Sequence, residues 1–236
     1  MKDPRFIQYD SLQKFNVVLA NPPYSIKSWD QGAFINDPFG RNIWGTPPQG
    51  CSDYAFQQHI MQSLDAENGR SVVLWPHGIL FRDAEREMRK KMIASDVVDC
   101  VIGLGANLFY NSPMEACLLI CRTQKPAVRQ GKILFINAVD EVKKEKTISN
   151  LEKKHIKKIY DAYLHYTDID GFARVVGNDE IMANDGTLSI PLYVAKKQIS
   201  QQEKEAEMSL REVYQQWEDN SVALRNSLNQ LFSTLK

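Results

Sequence analysis

The tetrapeptide Asn21-Pro22-Pro23-Tyr24 carries the most chemistry in this sequence. An amino group on a ring has two hydrogens and a lone pair delocalised into that ring. Two acceptors aimed at those hydrogens favour a pyramidal nitrogen and free the lone pair to attack a methyl donor. The side-chain oxygen of Asn21 and the carbonyl of Pro22 are candidate acceptors. Proline fixes φ and lacks an N–H, so it holds such a carbonyl rigidly. Tyr24 offers a face for a base turned out of a duplex. Stacking of that kind contributes about 1–3 kcal/mol, which nearly offsets the few kcal/mol that extrusion costs. No general base is required, because the developing cation on nitrogen can shed its proton later. An ordinary turn is the alternative reading of Asn-Pro-Pro.

The elements around the tetrapeptide must place it. It follows a short apolar run, Asn16 to Ala20, which reads as a strand. Two prolines cannot continue a central strand, so the chain leaves the sheet there. Open α/β sheets build their sites beyond the carboxyl ends of strands. A long stretch rich in Gly, Pro, Asn and Asp runs from Ser25 to Gly50, and loops of that length are usually functional or mobile. Ser52 reads as a helix N-cap, with Ala55, Phe56, Ile60 and Leu64 giving the helix an apolar face. A second strand, Ser71 to Trp75, ends at Pro76-His77-Gly78, which would line the same rim. Asp83 opens a charged helix to about Ala94. Val97 to Ile102, Ala116 to Cys121 and Ile133 to Ile136 read as further strands. None alternates strictly, as expected of strands buried on both faces. The pattern is α/β with a mostly parallel sheet.

The pattern changes after Ala138. Residues 141–158 are rich in lysine, with glutamates among them, and read as a solvated face in preference to a nucleic-acid patch. Ile181 to Val194 contains the turn Asn184-Asp185-Gly186 and then Pro191. From about Lys196 the chain reads as helix. There Leu210, Tyr214, Trp217, Ser221, Leu224, Leu228, Leu231 and Leu235 step by fours and threes, an a/d seam that needs something to pack against. A partner protein is favoured over the chain's own domain. The expected divisions are 1–138, 139–195 and 196–236.

Composition excludes several classes. The 236 residues are 43% hydrophobic and 25% charged, which excludes a mainly disordered or collagen-like chain. Lysine plus arginine total 29, and aspartate plus glutamate total 29. A protein that grips DNA by phosphate neutralisation alone is normally basic, so here most of such a grip must come from a local patch or a partner. No apolar run approaches the roughly 18–20 residues of a membrane span, and the N-terminus has no secretory signal. Cys51, Cys100, Cys117 and Cys121 are scattered with no CxxC pair. They read as free thiols in a reducing cytosol, with no metal site expected.

Ala20-Asn21-Pro22-Pro23-Tyr24 resembles motif IV of the amino-group DNA methyltransferases. Further stretches, in matching order, resemble one family: the modification (M) subunit of type I restriction–modification systems, which methylates adenine at N6. They are Trp44-Gly45-Thr46-Pro47-Pro48, then Asp53 to His59, Val72 to Arg82, Val101 to Leu104, Asn107 to Tyr110, and Asn184 to Val194. The resemblance covers about residues 10–195. It implies a partial, Rossmann-like S-adenosylmethionine-dependent methyltransferase sheet with a C-terminal helical tail. It assigns the target adenine to Asn21, Pro22 and Tyr24, with Phe109 as a second stacking ring. Asp10 and Asp53 fall at positions beside the cofactor. The alternative reading of Asp53 is a first-turn acid favoured by the helix dipole. His59 reads as a structural helix residue, and His77 as a rim residue. The implied partners are DNA, the specificity and restriction subunits, and a second M subunit, in the cytoplasm.

The family's glycine-rich cofactor loop is not among the 20 residues before Asn21, and Gly103-Leu104-Gly105 falls too late to serve. The resemblance thus implies a C-terminal part of an M subunit, starting just before the fourth strand of the fold. That strand would become an edge, leaving a chain that is marginal alone, prone to self-association and inactive without its other part. Two other readings stay open: a non-catalytic assembly module, and an amino-group methyltransferase acting on glutamine or RNA.

Overall fold

The computed structural model describes residues 4–109, 113–145, 148–195, 214–215, 217–222 and 224–225. The chain divides into two compact units, Met1–Lys196 and Lys197–Lys236.

The first unit is built on a six-stranded sheet. Its strands are β1 (Val17–Ala20), β2 (Arg70–Pro76), β3 (Val98–Leu104), β4 (Ala116–Arg122), β5 (Lys132–Ala138) and β6 (Ala173–Gly177). Their order across the sheet is β6-β5-β3-β4-β2-β1. β1 is parallel to β2 and β3 is parallel to β5, while the β2–β4, β4–β3 and β5–β6 pairings are antiparallel. The expectation of a mostly parallel sheet is therefore corrected to a mixed one. The cause is β4, which returns directly from β3 and wedges between β3 and β2. Because β4 opposes both neighbours, β1, β2 and β3 all run the same way. Their carboxyl ends share one rim.

Helices cover both faces: α1 (Gln31–Ile35), α2 (Asp53–Gln62), α3 (Arg86–Ala94), α4 (Lys153–His165), α5 (Asn178–Ala183) and α6 (Ile190–Tyr193). All seven residues of β3 are buried, as double-sided burial requires of such an apolar run. Alternate residues feed two cores. Val73 and Trp75 join Tyr54, Met92, Leu119 and Phe135 on one face. Val72 and Leu74 pack on the other with Ile102, Ile120, Leu134 and Ala162. Cys100, Cys117 and Cys121 are buried and free.

Several local expectations are revised. Ser52 occupies the N-cap of α2, yet its hydroxyl makes no capping bond and is buried without a partner. The helix expected from Asp83 begins as a 3-10 turn, Asp83–Glu85, and becomes α-helical at Arg86. The inward turn of the Glu85 side chain accounts for the break. β6 has no clear sequence signal, being five residues long with a glycine at its end. Residues 139–195 share the sheet and cores with 1–138, so no division between compact units falls near 138; the observed one lies at 196/197. The lysine-rich stretch is largely neutralised from within. Lys154 pairs with Glu152 at 3.0 Å, Lys157 with Asp161 at 2.5 Å, and Lys158 with Glu141.

In the second unit the described residues are helical. Tyr214, Trp217 and Leu224 of the expected seam are exposed, and the Tyr214 and Trp217 rings lie 6.0 Å apart. Leu210, Leu228, Leu231 and Leu235 lie outside the described residues. Among those described, no helix is long and apolar enough to cross a membrane.

β1 is an edge strand, paired only with β2. Leu19 is 76% and Val17 46% exposed. They border an open apolar groove lined by Phe6, Phe15, Val18, His59 and Ile60. Bare backbone beside exposed apolar side chains is a template for strand addition, and each fully buried aliphatic side chain contributes about 1.5–3 kcal/mol. Concentration-dependent self-association is expected by sedimentation velocity, and Leu19→Lys is expected to suppress it. A monomer up to the highest soluble concentration refutes this.

His59 borders the same groove, and its Nδ1 is buried without a partner. Burial, with Arg41 nearby, depresses its imidazole to about 4 from the usual value near 6.5. A depressed pKa means that the fold favours the neutral ring. Its contribution to stability is complete above pH 6.5 and is lost as pH falls towards 4. Urea midpoints measured across that window are expected to fall, and to fall less for His59→Gln. An equal fall in both proteins excludes His59 as the cause.

Candidate active site

Asn21 leaves the carboxyl end of β1 and is exposed, with Pro22 half-buried behind it. Tyr24 folds back towards the sheet. Its ring lies 6.2 Å from that of Trp75, tilted by 47°. Trp75 is itself fully buried, and its indole N–H donates to Gln57 Oε1 at 2.9 Å. The stacking residue thus rests on a fixed neighbour.

The Tyr24 hydroxyl donates to Asn21 Oδ1 at 2.6 Å. Burial raises the Tyr24 pKa, helped by Cys117 and Asp53, so the phenol keeps its proton and stays a donor. An amide oxygen has two lone pairs, so Asn21 Oδ1 retains one acceptor direction for an amine. The sequence did not disclose that this oxygen already has a partner.

The other members of the rim follow from strand direction. Phe109 is half-buried in the segment leaving β3, and therefore on the same rim as Asn21. Among the described residues Tyr24's ring partner is Trp75, and no ring contact joins Tyr24 to Phe109. His77 follows β2. Its Nε2 lies 2.9 Å from the carbonyl of Ala116 and must donate there, which ties the end of β2 to the start of β4. That makes His77 a structural rim residue.

The long loop after Tyr24 is packed. Asp30 caps α1 by accepting from the Ala33 N–H at 2.9 Å. Asp37 and Arg41 form a buried pair at 2.5 Å. Burial opposes a charge on Asp37, but the Arg41 bonds outweigh it and hold the carboxyl below the usual range. Gln58 accepts from the Trp44 N–H at 2.6 Å and donates to the Gly45 carbonyl at 2.9 Å. The stretches Trp44 to Pro48 and Asp53 to His59 therefore form one unit. Asn184 to Val194 joins it: Arg89 donates to the Gly186 carbonyl at 2.8 Å and to that of Arg82 at 3.0 Å.

Of the two acids assigned to the cofactor, Asp10 stands apart from this corner and Asp53 is tied to its end. Asp10 is exposed, with φ 58°, in the turn of the Ile7–Gln8/Ser11–Leu12 hairpin. The contacts of that hairpin run through Phe6 and Phe15 to Ser63 and Leu64, at the amino end of β1. Asn21 is at the other end. Asp53 is fully buried, and its oxygens are taken. Oδ1 accepts the Ser25 N–H at 2.6 Å, and Oδ2 pairs with Arg82. Asp53 is thus engaged by protein groups, while Asp10 stays exposed.

Asp53 belongs to a buried charge network. Arg82 Nε lies 2.9 Å from Glu85 Oε2, and the Cys51 thiol donates to Glu85 Oε1 at 3.1 Å. Burial raises the Glu85 carboxyl, opposed by Arg82. Burial, then the bond to Glu85, pushes the Cys51 thiol up to about 12, which excludes a reactive thiolate near neutrality. Ligand atoms of Cys51, Asp53 and Glu85 lie within 4.8 Å of one another. Arg82 already supplies the positive charge there and the thiol is protonated, so the cluster is an ion-pair network.

The sequence model of the N-6 DNA methylase family matches residues 1–202. The chain is 34% identical over 209 residues to the type I restriction enzyme MjaVIII methylase subunit of Methanocaldococcus jannaschii, covering 86% of this chain and 35% of that protein. It is 31% identical to the HindI methylase subunit of Haemophilus influenzae, covering 77% of this chain and 42% of that one. Among solved structures, the type I restriction-modification methyltransferase subunit from Streptococcus thermophilus superposes with a TM-score of 0.72 at 36% identity. That match covers 78% of this chain and 39% of the other. The EcoKI M protein shares the fold, with a TM-score of 0.59 at 15% identity. The chain thus spans well under half the length of these relatives. With its sequence matched along 202 residues and its sheet matched at 36% identity, the chain belongs to the N-6 DNA methylase family.

Proposed function

We propose that this chain provides the acceptor side of a DNA adenine-N6 methyltransferase, as part of a type I restriction–modification M subunit. The observation that carries the reading is the corner itself. An exposed asparagine amide and a proline carbonyl sit at the end of β1, beside a tyrosine ring held against buried Trp75.

The chemistry follows from these groups. A flipped adenine stacks on Tyr24 and presents N6 to Asn21 Oδ1 and the Pro22 carbonyl. Both N6 hydrogens are then held, and the lone pair turns out of the ring plane towards the methyl donor. Asn21 Oδ1 accepts this bond beside the one from Tyr24. Charge develops on N6 as it is alkylated, and the two oxygens stabilise it before the proton leaves. Phe109, on the same rim, supplies the second wall of the base pocket. The family implies S-adenosylmethionine as donor. Asp53 is committed to Ser25 and Arg82, which leaves exposed Asp10 as the acid free to meet the donor.

The family resemblance places sequence reading in a separate specificity subunit, and zero net charge agrees with that. DNA, a specificity subunit, a restriction subunit and a second M subunit are the partners of this reading. The exposed Tyr214, Trp217 and Leu224 of the tail suit a docking helix.

Methyl transfer from labelled S-adenosylmethionine to unmodified DNA tests the corner. It is run with the part of a type I methylase subunit that this chain does not span supplied in trans. Asn21→Ala removes one of two charge-stabilising groups and is expected to lower kcat about 10²–10³-fold. Tyr24→Ala is expected to cost the roughly 1–3 kcal/mol of stacking. Full activity in Asn21→Ala refutes the proposal. Calorimetric titration of the chain alone with S-adenosylmethionine is expected to show no micromolar binding, and micromolar heats would restore a cofactor role to these residues.

A further inference from the structure

The buried network at Arg82 has a feature that its own stability does not require: it reaches the catalytic corner. Ser25 follows Tyr24 directly and sits at φ 48°, a left-handed conformation that non-glycine residues adopt at a cost. Something must hold it there. Its N–H donates to Asp53 Oδ1 at 2.6 Å, and its hydroxyl accepts from Arg82 Nη1 at 3.3 Å. Asp53 opens α2, and Arg82 follows the turn after β2. One guanidinium therefore ties three elements together: the end of the corner, the start of α2 and the rim segment after β2.

The network is tightly constrained. The side chains of Asp53 and Glu85 are fully buried, and that of Arg82 is 28% exposed. A Cβ on Gly78 would come within 3.3 Å of Arg82 Nε, so the glycine leaves room for the guanidinium to lie across the turn. The forked guanidinium engages Asp53, Glu85 and Ser25 together, which an ammonium cannot do.

Resting on the reading of Asn21 to Tyr24 as the acceptor corner, we propose that Arg82 is a positioning residue for the methyl transfer: through Asp53 it clamps Ser25, and so fixes the angle at which Asn21 and Tyr24 meet the base. Arg82 touches no substrate in this scheme. Asp53 is the hinge pin of the corner, which explains why a buried acid opens α2.

The test uses the full chain, with the complementing part supplied as above, and compares Arg82→Gln and Arg82→Lys. Two quantities are read: hydrogen exchange at the Ser25 amide by NMR, and kcat against KM for DNA and donor. Arg82→Gln is expected to speed Ser25 exchange at least about tenfold while amides of β3 stay protected. It is also expected to lower kcat about 10–100-fold with little change in KM, as small misplacements of reacting groups do. Arg82→Lys keeps the charge but not the fork and is expected to fall between. If Arg82→Gln unfolds the chain, Arg82→Lys carries both measurements. Unchanged exchange at Ser25, or unchanged kcat in a protein that Asn21→Ala inactivates, overturns the proposal. If Asn21→Ala leaves transfer intact, the acceptor reading fails instead, and Ser25 exchange still decides whether the clamp exists.

Discussion

A hydrogen bond from the Ser25 N–H to buried Asp53 holds the geometry on which the rest depends. The two prolines turn the chain out of the sheet, but they do not say where it goes. Without an anchor on the far side, Asn21 and Tyr24 would end a strand and begin a loop. With it, the corner is fixed at both ends: by β1 pairing before it, and by a carboxylate, itself held by a guanidinium, after it. Removing one partner of such a pair leaves an uncompensated buried charge, a loss of about 3–5 kcal/mol. The network is therefore cooperative, and its members are not individually dispensable.

The sheet supplies the second constraint. Inserting β4 antiparallel between β2 and β3 leaves β1, β2 and β3 aligned, so three separate stretches of sequence deliver Asn21, His77 and Phe109 to one rim. The stretches that carry the family likeness are joined by ordinary contacts. Gln58 clasps Trp44 and Gly45, and Arg89 bridges Gly186 to Arg82. They sit together because they pack together.

Much of this was legible in the residues. The apolar runs that became β1 to β5 were visible as short Val-, Ile- and Leu-rich stretches, and Pro22-Pro23 marked the end of β1. Strand direction was not visible: the runs for β3 and β4 read alike whichever way they lie. β6 was missed because Ala173–Gly177 offers only two adjacent valines, and its pairing partner is 37–45 residues away. The site divided in the same way. Asn21, Pro22 and Tyr24 could be found because their chemistry is local. Asp53 was placed beside a cofactor by the family resemblance of its segment, which says nothing of what its oxygens touch. Only the fold shows that Ser25 and Arg82 already occupy it, and Arg82 had no local signal beyond being an arginine after a turn.

The β3–β4 connection gives the scheme a particular freedom. Its two ends emerge side by side at the rim from neighbouring antiparallel strands, and its first part is anchored by Leu108 on the core and Asn107 on Ser149. Closing a longer loop costs little, about 0.6 kcal/mol per doubling. Insertions between Leu104 and Ala116 would reshape the mouth around Phe109 while the scaffold beneath kept its register.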